Sequence, residues 1–436
     1  MISTKAPTTY LIATAGSHGD VLPFMALADG LSKLGHHAII YGTPLFAQFT
    51  PKGVRFVPVG DNELYHQALS ALNDNHPLSS IRKIVAVITD IIPLIINAMS
   101  KDIIPNNTVV IGGVMNPAPH LFAEKYHLPF VNVHLSPLAI YSVHRMGRAL
   151  PILDNLTQWQ NPTLNRLFWR WVDWAVFRPN FTKPINRLRA DYGLAPLAVP
   201  MIQWVNQADL VLGLFDEHFA PRQPDWADIE VVGFPFYEHQ QSGELSTKIM
   251  NFLQEGDKPV LFCAGTATAN AQQFFATSRL VCEKMGIRAI FVSHIKEQLP
   301  TNLPNSILAV DYVAYEQILP KVAVFVHHGG IGNTAVALKS GVPQLIRPCA
   351  FDQFDNASRA VSLGVAVEIL PKAYQVDTII KALKNLINNQ SLSHHCQSIA
   401  QQITPTGIEQ ACLKIIKMGK HNDIDKASDY LDNNTK

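Results

Sequence analysis

The sequence predicts an α/β protein of two domains in tandem, each a parallel sheet covered by helices. Three observations predict it. Short apolar strand patterns alternate with helical ones over the first fifty residues, the rhythm of a parallel βαβ unit. The same alternation restarts near Pro259. The length, 436 residues, exceeds what one ordinary hydrophobic core organises.

The elements follow in order. Tyr10 to Ala15 is a short apolar strand, and Gly16-Ser17-His18-Gly19-Asp20 is a turn. Leu22 to Leu34 has helical periodicity and stops at Gly35, a C-terminal stop signal. Ala38 to Tyr41 is the next strand, and Val109 to Gly113 and Phe130 to Val133 are further buried strands. In the second half, Pro259 to Ala264 is a strand, Gly265-Thr266-Ala267-Thr268 a turn, and Ala271 to Met285 a helix. Ala289 to Val292, Ile307 to Val310, Val322 to Val326 and Gln344 to Arg347 are strands at βα spacing. The polar stretch EHQQSGELSTK marks the junction. The expected division is a first domain over 1–238, a linker over 239–257, a second domain over 258–418 and a polar tail over 419–436.

Composition narrows the function classes. Thirty-five basic residues nearly cancel thirty-four acidic ones, for a net charge of +1. That excludes a polybasic nucleic-acid binder and an acidic disordered chain. Charged residues are only 16% and hydrophobic ones 47%, against a charged average of about 25%. The surplus implies a large core or an apolar ligand. The five cysteines include no CxxC pair, and none precedes Cys263. This is no disulfide framework, and a reducing cytosol is expected. The N-terminus runs straight into a strand pattern, so no secretory signal is expected. The longest apolar run, Ile84 to Met99, is interrupted by Asp90 and Pro93. It falls short of the roughly 20 residues that a spanning helix needs. The protein is therefore expected in the cytoplasm, either free or peripheral at the inner face of a membrane.

Trp159 to Ala190 departs from the α/β rhythm. It holds Trp159, Trp169, Trp171 and Trp174, and six Arg or Lys against Asp173 alone, for a net +5. Two readings stand: a core helix with solvated Arg tips, or an acceptor-site or membrane-surface helix, since Trp and Arg both suit an interface.

The strongest chemical signal is Val326-His327-His328-Gly329-Gly330-Ile331-Gly332-Asn333-Thr334, after a strand and before a helix. Glycines there let backbone approach a ligand. A helix N-terminus offers unpaired N–H groups and a positive dipole, which suits a diphosphate. His327, His328, Gly329, Gly330, Gly332, Asn333 and Thr334 are the candidate diphosphate-binding residues; two adjacent histidines could alternatively be structural or metal ligands, but the flanking Gly-x-Gly before a helix favours the binding role. Further on, Asp352-Gln353 follows another strand, at the sheet edge where open α/β folds bind ligands. A carboxylate beside an amide matches vicinal sugar hydroxyls. Asp352 and Asp355 alone are too few to define a metal site. Neither Gly16 nor Gly265 sits in a GxGxxG with an acid about twenty residues on, which argues against a nicotinamide enzyme.

The stretch HHGGIGNTAVALKSGVPQLIRPCAFDQFDNASRAVSLG resembles the C-terminal signature of nucleotide-sugar glycosyltransferases of the GT-B fold, within the UDP-glycosyltransferase-like superfamily. GSHGDVLPFMALADGLSKLGH resembles that family's acceptor-domain loop. AEKYHLPF, PINRLRADYGL, Phe219 to Trp226 and VVGFPFY extend the likeness toward the bacterial rhamnosyltransferases of rhamnolipid synthesis and the related sterol glucosyltransferases. The resemblance implies two Rossmann-like domains facing across a cleft, and an inverting, metal-independent hexosyltransferase. The partners would be a dTDP- or UDP-sugar donor and a hydrophobic hydroxyl acceptor such as a hydroxy fatty acid, a sterol-like lipid or another small aglycone. No cofactor is implied, the nucleotide sugar being a substrate. It also implies roles. His328 would contact the diphosphate with the amides of Gly332 and Asn333, and Thr266 would approach the phosphates. Tyr312 and Val313 would hold the base, and Asp352 and Gln353 would read the sugar. Ala314 replaces the proline usual after the base-binding pair, and Asn333 replaces a usual Ser or Thr.

A single displacement needs a base for the acceptor hydroxyl. The family's base position holds Asp20, with His18 as its competitor. The stretch Gly112 to Pro117 has no acid to orient an imidazole, which favours Asp20. The bland reading of Asp20 is a helix cap, a role that would take it away from the acceptor. Ser17, Asn116, Trp169 and Trp171 complete the acceptor side. Two other functions share these features: a nucleotide-sugar epimerase of the same fold, and a non-catalytic sugar-nucleotide or lipid-binding partner.

Overall fold

The computed structural model describes residues 7–71, 77–149, 161–226, 228–237, 245–265 and 271–419. Thr266 and Trp159 lie outside the described residues, as does the tail beyond residue 419. Two wholly parallel sheets form the frame. The first orders its strands β3-β2-β1-β4-β5-β6-β7. These are β1 Thr9–Ala13, β2 His37–Gly42, β3 Arg55–Pro58, β4 Thr108–Gly113, β5 Phe130–His134, β6 Leu210–Gly213 and β7 Ile229–Val231. The second runs β10-β9-β8-β11-β12-β13. Its strands are β8 Val260–Cys263, β9 Ala289–Val292, β10 Ile307–Val310, β11 Val324–His327, β12 Gln344–Ile346 and β13 Ala366–Glu368. Both are the doubly wound α/β architecture that the strand–helix alternation predicts.

Central strands are apolar on both faces because helices cover both. All five residues of β1 and all four of β8 are buried. One cluster covers one face of the first sheet, with Tyr10, Ile12, Phe24, Leu27 and Ile111. Leu11, Val110, Ile95 and Phe122 cover the other. β3, β7 and β13 escape sequence detection because they are short edge strands of three or four half-buried residues with mixed polarity.

In each sheet the strand order reverses once, between β1 and β4 in the first and between β8 and β11 in the second. At such a switch point successive connections leave on opposite faces and open a crevice beyond the carboxyl ends of the strands. The loops carrying Asp20 and Asn116 flank the first crevice; those carrying Gly265 and His328 flank the second.

Three expectations need correction. The linker expected over 239–257 ends early: helix Thr247–Gln254 sends Ile249 and Phe252 into the second domain's core beside Leu261 and Leu308. The second domain does not run to 418. The last described helix, 407–419, returns to the first sheet, where Ala411, Cys412 and Ile415 pack with Leu27 and Leu31. And the Ile84–Met99 run, expected to be interrupted by Asp90 and Pro93 and too short to span a membrane, is part of a longer unbroken helix. That helix is Pro77–Ser100, 24 residues long with Pro93 inside. By length and composition Arg82–Ser100 could cross a membrane. Here Ile92, Ile95, Ile96 and Met99 pack under the first sheet.

The domains share an apolar seam. Phe215, Phe219, Trp226 and Phe234 of the first pack against Leu338, Ala357 and Ala360 of the second. Polar bonds reinforce it. Arg148, only 3% exposed, reaches from the first domain to Glu368 with a fork of 2.5 and 2.9 Å. Its backbone N–H donates to Asp355 at 3.1 Å.

Candidate active site

The first loop is built by a capping interaction. Helix His18–Lys33 begins four residues before the expected Leu22 because Ser17 caps it and Asp20 answers from its third position. The Ser17 backbone N–H and hydroxyl donate to Oδ2 of Asp20 at 2.7 and 2.8 Å, a capping box. Gly16 makes the approach possible: it holds φ +118°, and a Cβ there would fall 2.5 Å from Asp20 Oδ2.

Capping and facing the cleft turn out to be compatible. One oxygen of Asp20 serves the cap, and no hydrogen bond among the described residues engages Oδ1. Burial raises the Asp20 pKa from its usual range, against the two Ser17 hydrogen bonds that lower it. Asp20 also acts across the domain gap, its charge helping to raise the pKa of Asp352.

His18 stands beside Asp20, with Phe46 and Phe49 edge-on at 5.1 and 5.4 Å. Burial, with a contribution from His294 of the second domain, holds its pKa below the usual value, so the ring is neutral at pH 7. Its Nδ1 is buried without a partner, so no carboxylate orients it. Phe46 also packs on Tyr65 at 5.7 Å, and the charge of Asp20 bears on Tyr65. His18, Phe46, Phe49 and Tyr65 thus form an aromatic wall next to the carboxylate. The short 3-10 turn Pro44–Phe49 that supplies two of these rings carries no motif, so only its phenylalanine content hints at it. Asn116, at the end of β4, is buried. Its Oδ1 accepts from Ala118 N at 3.1 Å, and its Nδ2 has no partner.

On the other side, β11 ends at His327. This side chain is a core residue and not a donor contact as expected. It is fully buried, stacks on Phe325 at 4.5 Å, and uses both ring nitrogens, on Gln344 at 3.0 Å and on the Gly329 N–H at 3.1 Å. Burial lowers its pKa to about 3. Thr334 departs from expectation in the same way: it is fully buried and its hydroxyl donates back to Gly330 O at 3.1 Å.

His328 is the neighbour that turns outward, half-buried. Glycines make room for its ring. A Cβ on Gly265 would lie 2.5 Å from His328 Cε1, and one on Gly330 would lie 2.5 Å from Nε2. Gly265 also holds φ +89°. Burial lowers the His328 pKa to about 4, so the imidazole is neutral and can donate one N–H. Helix Ile331–Ser340 starts here, capped only by Gly330. Gly332 is exposed and nothing lies within 4 Å of a Cβ built on it. The first amides of this helix therefore open onto free space beside His328, a geometry suited to phosphate oxygens.

The two flanking loops complete this edge. Tyr312 is 59% exposed while Val313 is buried, so Val313 offers only its main chain. After β12, the Gln353 side-chain oxygen accepts from the N–H groups of Cys349 and Ala350 at 2.8 and 3.1 Å, which fixes the loop and leaves the amide nitrogen. Asp352 accepts from Asn356 at 2.9 Å. Burial, and then the charges of Asp20 and Asp355, push its pKa up to about 7, against the hydrogen bonds from Asn356 and Ser136. Asp355 is committed elsewhere: it accepts from Arg359 at 2.6 Å and from Arg148 N.

Ser17, His18, Asp20 and Asn116 follow β1 and β4 at the carboxyl edge of the first sheet, and Tyr312, His328, Gly332, Asn333, Asp352 and Gln353 follow β10, β11 and β12 at that edge of the second. The structure does not bring Trp169 or Trp171 to them. The Trp169 indole N–H donates to Ser142 O at 3.1 Å, and Trp171 is 57% exposed. Sequence reasoning does not find Arg148, Ser136 and His294, whose roles depend on the docking of the two domains, nor Asn356, Phe46, Phe49 and Tyr65, which no motif singles out.

Comparisons with known proteins agree with this architecture. Residues 10–144 match the model of the glycosyltransferase family 28 N-terminal domain. Residues 287–415 match the erythromycin biosynthesis protein CIII-like C-terminal domain. The chain is 23% identical to the O-mycaminosyltylonolide 6-deoxyallosyltransferase of Streptomyces fradiae, over 93% of this chain and 96% of that protein. It is 22% identical to a Saccharomyces cerevisiae sterol 3-beta-glucosyltransferase over 90% of this chain, but spans only 33% of that protein's length. Among solved structures, the kitacinnamycin glycotransferase matches with TM-score 0.71 at 19% identity, over 95% of this chain and all of that one. A spinosyn rhamnosyltransferase matches with TM-score 0.66 at 17% identity, over 94% and 100%.

Proposed function

Because the chain belongs to the GT-B glycosyltransferases, with a family 28 N-terminal domain joined to a CIII-like C-terminal domain, we propose that it moves a sugar from a nucleotide donor to a hydroxyl of a hydrophobic acceptor with inversion. The observation that carries this reading is the pairing across the gap. Asp20 of the first domain lies close enough to Asp352 of the second to raise its pKa. A carboxylate that can accept a proton and one that can hold a sugar hydroxyl then share a single cleft.

The chemistry follows from the residues. The acceptor sits against His18, Phe46, Phe49 and Tyr65 with its hydroxyl on Asp20 Oδ1. As the acceptor oxygen bonds to the sugar's anomeric carbon, its proton passes to Asp20 and the bond to the diphosphate oxygen breaks. Burial favours this base by raising its proton affinity. Charge develops on the departing diphosphate, where the His328 N–H and the amides of Gly332 and Asn333 stabilise it. Asp352 and the Gln353 amide nitrogen hold the sugar hydroxyls. Exclusion of water by the joined domains limits hydrolysis of the donor.

For the donor we propose a dTDP- or UDP-sugar, with Tyr312 stacked on the base. A fold match to a glycosyltransferase solved in complex with dTDP, at TM-score 0.66, supports the thymidine option. For the acceptor, the aromatic wall supports an apolar alcohol. The protein is proposed to act in the cytoplasm. Thermal-shift screening of UDP- and dTDP-sugars, followed by mass spectrometry of products from a lipid extract, tests this. Binding stabilises by mass action, so one nucleotide series should raise Tm and give a glycoside plus free nucleoside diphosphate. A sugar-nucleotide product isomeric with the donor, or tight binding without turnover, would refute transfer.

A further inference from the structure

Helix Pro162–Val172 and the π-helix Asp173–Thr182 that continues it carry an apolar face that no part of the site uses. Leu164, Leu167, Trp171 and Trp174 are 46, 56, 57 and 67% exposed. Among the described residues the exposed large apolar side chains number fourteen, and these four fall within eleven residues. Their spacing of three, four and three puts them on one side of a helix. The opposite side anchors it: Asn165 is buried and donates to Val143 O at 2.7 Å, and Trp169 donates to Ser142 O. The stripe is thus a rigidly mounted outward face.

Charge says what it fits. Arg166, Arg170 and Arg178 on the same two helices are exposed, as are Lys183 and Arg187 on the helix that follows. None of the five forms an ion pair among the described residues. Asp173 and Asp191 are the acids between residues 161 and 191. A protein partner buried on Trp and Leu would have to supply matching carboxylates at several points. An anionic lipid surface supplies negative charge everywhere, and a headgroup layer takes indole rings and Arg stems together.

We propose that this face docks the protein on an anionic lipid bilayer, with Leu164, Leu167, Trp171 and Trp174 inserted at the headgroup level and the five cations against the lipid phosphates. The helix is bonded to the 142–143 segment of the loop that carries Arg148 into the domain seam. Docking therefore holds the cleft close to the lipid, from which an apolar acceptor could be drawn.

Vesicle flotation tests the proposal, using the full chain with phosphatidylcholine alone and with equimolar phosphatidylcholine and phosphatidylglycerol. It needs neither donor nor acceptor, so its failure leaves the glycosyl-transfer reading standing. The protein should float with the anionic vesicles, with blue-shifted tryptophan emission, and be released by salt. Replacing three cations in Arg166→Gln/Arg170→Gln/Arg178→Gln should weaken binding about a hundredfold, at roughly a factor of five per cation. Leu167→Ser/Trp174→Ser should abolish insertion while keeping the wild-type Tm, since both positions are exposed. Equal binding to both vesicle types, or wild-type binding by either variant, would overturn the proposal. So would a solution dimer that fails to float and dissociates in Leu167→Ser/Trp174→Ser.

Discussion

Replacing Asp352 by Asn should stabilise the ligand-free protein while removing activity, and the stabilisation should depend on pH. Asp352 lies in a partly buried position close to two other carboxylates, and its pKa rises from 3.8 to about 7. Proton affinity is thus raised about a thousandfold, at about 1.4 kcal/mol for each factor of ten. The ionised carboxylate therefore costs the fold up to about 4 kcal/mol, or about 2 after discounting for solvent screening. The sign is that of a raised acid. The native state holds the proton more tightly than the unfolded chain, so wild-type stability falls as pH rises from about 4 to about 7. The amide of Asp352→Asn does not titrate and can still accept from Asn356. The variant's advantage over wild type should be near zero at about pH 4 and full by about pH 8, worth roughly 4–8 °C in Tm for a domain of this size. Differential scanning fluorimetry across pH, with a parallel product assay, measures both. An advantage that is absent at high pH, or equal at low and high pH, would refute the argument that Asp352 sits in an unfavourable charged environment held for a ligand.

Three further outcomes follow from the geometry. His328→Ala should abolish the donor-induced Tm rise and lower kcat/KM by about 10² or more, as expected for loss of one oxyanion donor; unchanged donor binding would remove His328 from the diphosphate site. The acid limb of the pH–rate profile should report the raised pKa of Asp20 and survive in His18→Gln, whereas loss of that limb in His18→Gln would make the imidazole the base. Arg148→Met leaves Glu368 without its partner from the first domain and should destabilise by about 3 kcal/mol, seen as a lower urea midpoint; an unchanged midpoint would mean that the seam rests on its apolar contacts alone.

The sequence makes the frame legible where strands stand out as uninterrupted apolar runs after a turn or at βα spacing. β9 and β10 appear at the residues expected, because Ala289–Val292 and Ile307–Val310 are uninterrupted apolar runs. The edge strands β3, β7 and β13 stay hidden, since half-exposed residues such as Arg55 in β3 break the pattern, and the four-residue β6 is not predicted although it is buried. The helix start at His18 is hidden in the sequence because Ser17 and Asp20 act together, three residues apart, across what reads as a polar turn. In the site, the glycines around His328 were visible, but their use was not. At Gly265 and Gly330 they admit an imidazole from their own chain. The distinction between His327 and His328 depends on strand alternation: consecutive side chains at a strand's end point to opposite sides, so one entered the core and the other the cleft. Composition marks the tryptophan-rich segment, but the outward orientation of Trp171 and Trp174 is a tertiary fact.

The central claim is that Asp20 takes the proton in an inverting transfer within the cleft. Product analysis by NMR with a cognate donor and an apolar alcohol, for wild type and Asp20→Asn side by side, addresses it most directly. The wild type should give a glycoside of inverted anomeric configuration. Asp20→Asn should bind donor as well as wild type, because its side-chain oxygen can keep the Ser17 cap, and lose product by about 10² to 10⁴. Retained configuration, or a wild-type rate in Asp20→Asn, would contradict the account.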